Sequence, residues 1–269
     1  MKISVLGCTG LLGNQVLSIL SKEFDTTGFC RNLPNIFWNE VKTEIGFDVF
    51  KCDFESFKNY DVIINCVGIV PRMSKGVVND FYINSIFPQK LNRYCIENSK
   101  YLIHISTDCV FDGRKGNCSI YDKPNARDIY GISKYMGEIQ DNLTIRTSII
   151  GHEFRNKTGL LEWFLNQNVP IRGYTNAFWN GVTAKELSKC IINILDKKPR
   201  GLLHISGEKL SKYELLSKIK SVYQKDVEII PENNFITDKT LAPTPLDIFN
   251  IKLNNIDKMI EEMKNAWCF

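Results

Sequence analysis

Three histidines in 269 residues leave little material for a metal centre, and neither a His-Glu-x-x-His run nor a Cys-x-x-Cys pair occurs. A structural zinc needs cysteine or histidine ligands at short fixed spacings, so no metal is expected. The nine cysteines are scattered along the chain. With no secretory pattern ahead of them they read as reduced thiols, mostly buried. Met1-Lys2 runs straight into Ile3-Ser4-Val5-Leu6 without a signal-peptide pattern, which makes the cytoplasm the expected location. No apolar run approaches the ~18 residues of a membrane helix, so no membrane partner is expected. Charge of one sign is also missing: 34 basic and 30 acidic side chains nearly cancel. No basic stretch suggests nucleic acid. Internal repeats and low-complexity tracts are absent.

What is present is alternation. Residues 3–6 form a short apolar run, and 11–22 follow with Leu12, Val16, Ile19 and Leu20 on one helical face. Strand-like runs recur at 26–30, 47–51, 61–67, 101–105 and 143–148. The run at 61–67 is nearly all apolar, as a parallel strand covered on both faces must be. Helical patterns fill 77–98, with a kink expected at Pro88, and 130–140. Beyond Gly151 the alternation loosens, with helices expected at 160–168, 184–196, 212–223 and about 255–265, and a strand at 201–206. The predicted fold class is α/β, a doubly wound parallel Rossmann-type sheet with a smaller C-terminal α/β substrate-binding part. The expected division is a Rossmann domain over 1–150 and a mainly substrate-binding part over 151–269, segments around 175–200 packing back on the first.

Gly7-Cys8-Thr9-Gly10-Leu11-Leu12-Gly13 joins the first strand to the first helix. In that position the first glycine allows a tight turn, the second admits a pyrophosphate, and the third lets helix and strand pack closely. The helix N-terminus offers free N–H groups to the phosphates. Gly7, Thr9, Gly10, Leu11, Leu12 and Gly13 are therefore expected to bind a dinucleotide. Arg31, at the end of the second strand, suits a 2′-phosphate and favours NADPH, with NADH the alternative. Asp53 and Phe54 are placed for the adenine, and Cys66, Val67 and Gly68 end the fourth strand where the sheet edge meets the cofactor.

Tyr130 and Lys134 stand at i and i+4 on a predicted helix and so share a face. An ammonium near a phenol is expected to lower the tyrosine pKa from about 10, making Tyr130 a candidate general acid for carbonyl reduction. The same spacing also fits a tyrosine on a helix that merely stands beside an exposed lysine.

Further segments join these: Ser106-Thr107-Asp108-Cys109-Val110-Phe111-Asp112-Gly113, Tyr130-Gly131-Ile132-Ser133-Lys134 with Gly137-Glu138, Leu143-Thr144-Ile145-Arg146-Thr147-Ser148, and Asn180-Gly181-Val182-Thr183. As a set, the chain resembles the extended short-chain dehydrogenase/reductases, in particular the dTDP-4-dehydrorhamnose reductase branch, over roughly residues 1–210. The resemblance implies that Thr107 holds the keto oxygen, Tyr130 donates the proton, and Lys134 binds the nicotinamide ribose. The implied substrate is a 4-keto-6-deoxy sugar on a nucleoside diphosphate, in deoxysugar synthesis for surface polysaccharide. It also implies substrate contacts from Asp108 and Cys109, and a homodimer through the helices of 77–98 and Tyr130.

A diphosphate and a base call for cations and rings, for which Arg172 and Trp179 are the candidates. Trp163 and Phe164 read as core, His104 and His204 as satisfied core histidines, and Arg146 as a structural partner of Glu138. Two departures stand out. The branch usually has tyrosine where this chain has Cys109, and 121–128 lacks its proline-spaced acids. In the similar GDP-fucose synthases a nearby cysteine, paired with a histidine, works in epimerisation. An epimerase-reductase or epimerase is therefore one alternative, and a silent NADP-binding subunit resembling the methionine adenosyltransferase regulatory protein is another. Cys109 stands against a dehydratase, which needs an acid and a base beside the threonine.

Overall fold

A computed structural model describes residues 1–32, 41–153 and 157–265. Its centre is a seven-stranded, wholly parallel sheet built from β1 (Lys2–Leu6), β2 (Asp25–Cys30), β3 (Thr43–Ile45), β4 (Val62–Asn65), β5 (Tyr101–Thr107), β6 (Leu143–Thr147) and a strand from beyond residue 200. Side chains of a strand alternate between faces. Val62 and Ile64 accordingly join the core under one helical layer, and Ile63 the core under the other. The first layer contains α1 (Leu11–Leu20) and the second α2 (Val77–Phe81), α3 (Phe87–Glu97) and α4 (Ile129–Met136).

Past β6 the chain forms short pairs around the sheet's carboxyl edge. β7 (Ile149–Ile150) precedes α5 (Leu160–Leu165), β8 (Ile171–Tyr174), β9 (Ala177–Trp179) and β10 (Val182–Thr183), the last pairing with β7. α6 (Ala184–Lys197) packs on α1, and β11 (Gly201–His204) returns to the main sheet beside β6. β12 (Leu210–Ser211), α7 (Lys212–Tyr223), β13 (Ile229–Glu232), β14 (Thr237–Asp238) and α8 (Ile256–Asn265) complete the order. Among the described residues no helix is long and apolar enough to cross a membrane.

Two predicted elements differ. Residues 47–51 are not a strand: β3 lies earlier, and Val49–Lys51 winds into a 3-10 turn. The Asp48 carboxylate accepts the Phe50 N–H at 3.1 Å, giving the backbone a local partner in place of a ladder. Phe47 still packs edge-on against Phe29 and Phe57, so the apolar pattern is satisfied without pairing. The long helix of 77–98 is interrupted by a π turn over Tyr82–Ile86, where the Phe87 N–H reaches back to the Tyr82 carbonyl. Pro88 has no N–H to offer Asn84, and the wide turn absorbs its ring. The Asn84 carbonyl left over lies against α4, where a β-carbon on Gly137 would stand 1.9 Å from it.

Candidate active site

The glycine loop is a cradle that side chains would fill. Gly7 sits at φ +74°, and its N–H donates to the Phe29 carbonyl at 2.9 Å. A β-carbon on Gly13 would lie 2.2 Å from the Gly7 carbonyl oxygen, so α1 can approach β1 only without one. Gly10 caps α1 with no side-chain bond, and no acid stands in the first turn. The free N–H groups there suit a pyrophosphate. Leu12 is buried in the core and Leu11 touches Gly151, so these two can face a cofactor only through backbone. Thr9 is half-buried beside them. Gly13→Ala is expected to cost about 1–3 kcal/mol through overpacking. It should also abolish NADPH binding, read by thermal unfolding and by fluorescence titration of NADPH.

The other predicted cofactor residues are placed unevenly. Arg31 is exposed at the end of β2. Asp53 caps a 3-10 turn through the Glu55 N–H, and the Phe54 ring stacks 5.7 Å from Tyr94, so both are partly committed to structure. Cys66, Val67 and Gly68 follow β4, with Val67 against Gly7 and Gly68 next to the Lys134 ammonium. This loop is pinned from below. The Val67 N–H donates to Asn65 Oδ1, and Asn65 Nδ2 lies 3.1 Å from His104 Nδ1. Burial, with the Lys134 charge, holds His104 well below the ordinary imidazole pKa. It is thus neutral, accepting at Nδ1 and protonated at Nε2. Contrary to expectation it is not fully satisfied, since Nε2 has no partner among the described residues.

Tyr130 and Thr107 are brought together by a glycine. Asp128 caps α4 by accepting the Gly131 N–H at 2.8 Å. A β-carbon on Gly131 would meet the Cys109 carbonyl oxygen at 2.2 Å, so the start of α4 rests directly on the turn after β5. Thr107 Oγ1 accepts the Cys109 N–H and donates to Asp108 Oδ1, both at 3.1 Å. Burial pushes the Tyr130 phenol well above its usual pKa, and the neighbouring Cys109 thiol and Asp108 carboxylate add to this; hydrogen bonding with Thr107 and the Arg72 charge oppose it. The expected lowering by Lys134 is not found, because Lys134 is not among the groups that act on the phenol. The lysine points elsewhere, donating to the Ile105 carbonyl at 2.6 Å. Burial draws Lys134 itself down to about 8, against the upward pull of Glu138 and Cys66. Tyr130 is consequently protonated at neutral pH, the form a proton donor needs.

A polar layer under these groups was only partly foreseen. Glu138 takes both Arg146 Nε and Nη2 at 2.7 Å and the Ser106 hydroxyl at 2.8 Å, all out of water. Arg146 also approaches His204 Nε2 at 3.4 Å and stacks on Phe111. Asn84, in the π turn, was missed: its side chain bonds both N–H and carbonyl of Ile69 and reaches Ser133 Oγ at 3.1 Å. It locks the loop after Gly68 to α4. The proline of the 77–98 pattern was the only hint.

On the substrate side, burial pushes the Cys109 thiol up to about 12, with Asp108 adding to the effect. His152 does not serve as its partner, because its two ring nitrogens meet Glu162 at 2.7 Å and Tyr223 at 2.8 Å. Trp179 is buried, its indole N–H donating to Ser148 Oγ at 2.9 Å. Arg172 is exposed and pairs with Glu232 at 3.1 Å across β8 and β13. Other cations are felt at the Thr107 turn, Arg72 at Tyr130 and Lys239 at Cys109. Among the described residues no cluster of metal-ligating side chains occurs.

The sequence matches the family described as RmlD substrate binding domain over residues 1–247. It is 30% identical over 213 residues to a dTDP-4-dehydrorhamnose reductase of Aggregatibacter actinomycetemcomitans, covering 71% of this chain and 72% of that one. It is also 30% identical over 143 residues to methionine adenosyltransferase 2 subunit beta of Danio rerio, 51% of this chain and 42% of that relative's length. The fold is similar to that of a dTDP-4-dehydrorhamnose reductase from Bacillus anthracis str. Ames in complex with NADP, with a TM-score of 0.81 at 20% identity and 99% of each chain covered.

Proposed function

Because the chain belongs to the RmlD substrate binding domain family, we propose that it reduces the C4 keto group of a nucleotide-linked 4-keto-6-deoxy sugar with NADPH. The observation that carries this is the seating of α4 on the turn after Thr107, which holds a protonated phenol beside a hydroxyl with a buried lysine behind them. NADPH, when bound, supplies the hydride. The loop 7–13, Arg31, the segment 66–68 and Lys134 would hold it, with Asp53 and Phe54 beside the adenine. Thr107 donates a hydrogen bond to the carbonyl oxygen, turning from Asp108 to do so. Tyr130 gives that oxygen its proton as the carbon is reduced and is reprotonated from solvent, while the Lys134 cation, held on the Ile105 carbonyl, binds the nicotinamide ribose.

Residues 151–269 mainly form the substrate side, with Asp108, Cys109, Arg172 and Trp179 as contacts. The product is a deoxysugar nucleotide for surface polysaccharide. The cytoplasm is the compartment that fits eight free cysteines among the described residues. Exposed Val78, Ile86, Tyr135 and Met136, on the layer that contains α4, favour a homodimer. The likeness to a methionine adenosyltransferase subunit supports a second reading, a cofactor-binding regulatory protein. Following NADPH oxidation against a panel of 4-keto-6-deoxy sugar nucleotides separates the two. Turnover supports the reductase, and tight NADPH binding without turnover on any member supports the regulator.

The Lys134 ammonium gives a pH signature. Its folded pKa of about 8 lies below the ordinary 10.5. The unfolded chain therefore binds more protons between those values, and folding stability rises with pH across that window. NADPH oxidation should fall over the same rise as the cation is lost. Comparing the pH dependence of unfolding in the wild type and Lys134→Met checks this, since the alkaline gain in stability should vanish in the variant.

A further inference from the structure

Asn65 closes β4 and His104 stands beside it in β5, partners in the parallel register and both fully buried. Strand alternation puts them with Ile63 and Leu102 on the face covered by α2, α3 and α4. The two side chains form a directed relay. The Val67 N–H can only donate, so the Asn65 atom 3.1 Å from it is the amide oxygen. The amide NH2 is therefore turned to His104, 3.1 Å from Nδ1, and that ring nitrogen must accept. Geometry alone thus puts the imidazole proton on Nε2.

That proton is costly to keep, because Nε2 is buried without a partner among the described residues. A leucine would avoid the cost but leave the Asn65 amide without its acceptor, free to turn over and set its NH2 against the Val67 N–H. What the imidazole contributes is an acceptor that holds the amide in one orientation. The loop so held lies between two parts of the cofactor site. A β-carbon on Gly7 would stand 3.2 Å from the Val67 nitrogen, and one on Gly68 3.9 Å from Lys134 Nζ. Lys134 is itself fixed on the carbonyl of Ile105, the residue after His104. Asn84 takes the N–H of Ile69 at 2.9 Å, so the far end of the loop is also pinned.

We infer that His104 is a positioning residue for the nicotinamide half of NADPH: through Asn65 it sets the backbone of residues 66–68 against Lys134, where the nicotinamide ribose binds. This rests on the cofactor part of the reading above and is independent of the sugar. His104 touches no cofactor, since it is fully buried beneath the loop. Its effect passes through the Asn65 amide to the Val67 N–H. The adenosine half depends on other groups, the glycine loop and Arg31, which the relay leaves in place.

The test is calorimetry of the full chain with NADPH and with adenosine 2′,5′-bisphosphate, which lacks the nicotinamide half. The variants are His104→Leu, His104→Asn, Asn65→Ala and the double variant His104→Leu/Asn65→Ala. His104→Leu is expected to weaken NADPH about tenfold while changing the bisphosphate less than about twofold, which also shows that the variant is folded. His104→Asn, whose Oδ1 falls where Nδ1 stands, should keep NADPH within about threefold of the wild type. Asn65→Ala should weaken NADPH at least as much as His104→Leu, and the double variant no more than Asn65→Ala, because both changes cut one relay. A role in stability alone would lower the unfolding temperature and leave both affinities unchanged, which overturns the inference. Equal weakening of both ligands, or additive effects in the double variant, would overturn it as well. If His104→Leu does not fold, the other two single variants decide: Asn65→Ala must weaken NADPH selectively and His104→Asn must not. If 4-keto sugars are reduced and these variants bind NADPH normally, this inference alone fails. If the binding pattern holds but no 4-keto sugar is reduced, the reductase reading alone fails.

Discussion

Tyr130→Phe should lower the rate of NADPH oxidation with a 4-keto sugar nucleotide by about 10²–10⁴-fold, the usual contribution of a positioned general acid. The ring of phenylalanine fills the same space, so α4 stays on the turn at Gly131 and the fold is unaffected. Only the hydroxyl is lost. Because burial keeps that hydroxyl protonated, the wild type enters each turnover with its proton in place, and the variant must draw one from solvent. NADPH affinity should change little, since Lys134 retains its bond to Ile105 and the glycine loop is untouched by the substitution. Steady-state kinetics beside an NADPH titration checks both parts. Full activity in Tyr130→Phe would remove it as the proton donor.

Glu138→Gln has the largest expected effect on stability, about 3–5 kcal/mol, because it leaves the Arg146 guanidinium buried without its counter-charge. Both ends of the pair are nearly inaccessible, with 3% and 4% side-chain exposure. The bidentate geometry means that no other group can take the carboxylate's place, and His204 offers little. Burial and the Arg146 charge hold that ring down near a pKa of about 4, so it stays neutral beside the arginine. The consequences reach the site. Ser106 and Arg146 are left to share the one remaining oxygen directly before Thr107, and Lys134 loses the carboxylate that favours its charged form. Denaturant unfolding of Glu138→Gln, Arg146→Met and the double variant measures this. The double variant should be more stable than Glu138→Gln, since it carries no orphan charge. A loss below about 1 kcal/mol in Glu138→Gln would show the pair to be dispensable.

The features legible in sequence were those with a local signal. Strand, glycine loop and helix stand in one continuous stretch, and the apolar runs of the parallel sheet were readable because both of its faces are covered. Tyr130 and Lys134 share a helix, so their common face followed from spacing alone. What spacing could not give was the balance of environment around them. The expected lowering of the Tyr130 pKa assumed that Lys134 faces the phenol. The structure turns the ammonium to the Ile105 carbonyl and buries the phenol, and burial wins. The strand expected at 47–51 failed for a related reason. Asp48 provides a hydrogen bond within a few residues, which no apolar count registers. Asn84 was invisible because its meaning lies in a partner far along the chain, the loop at Ile69. The resemblance to sugar-nucleotide reductases supplied roles for Thr107 and Tyr130, and the glycine contact at Gly131 supplies the physical reason that they meet.

The most direct measurement is the transfer of deuterium from NADPH labelled on its transferable hydride position to a 4-keto-6-deoxy sugar nucleotide in ordinary water, read by NMR of the product. Deuterium at C4 and nowhere else is the expected result, and Tyr130→Phe should form the same labelled product about 10²–10⁴-fold more slowly. An unlabelled product, or a parallel run in deuterated water that places solvent deuterium at C3 or C5, would contradict simple reduction at C4.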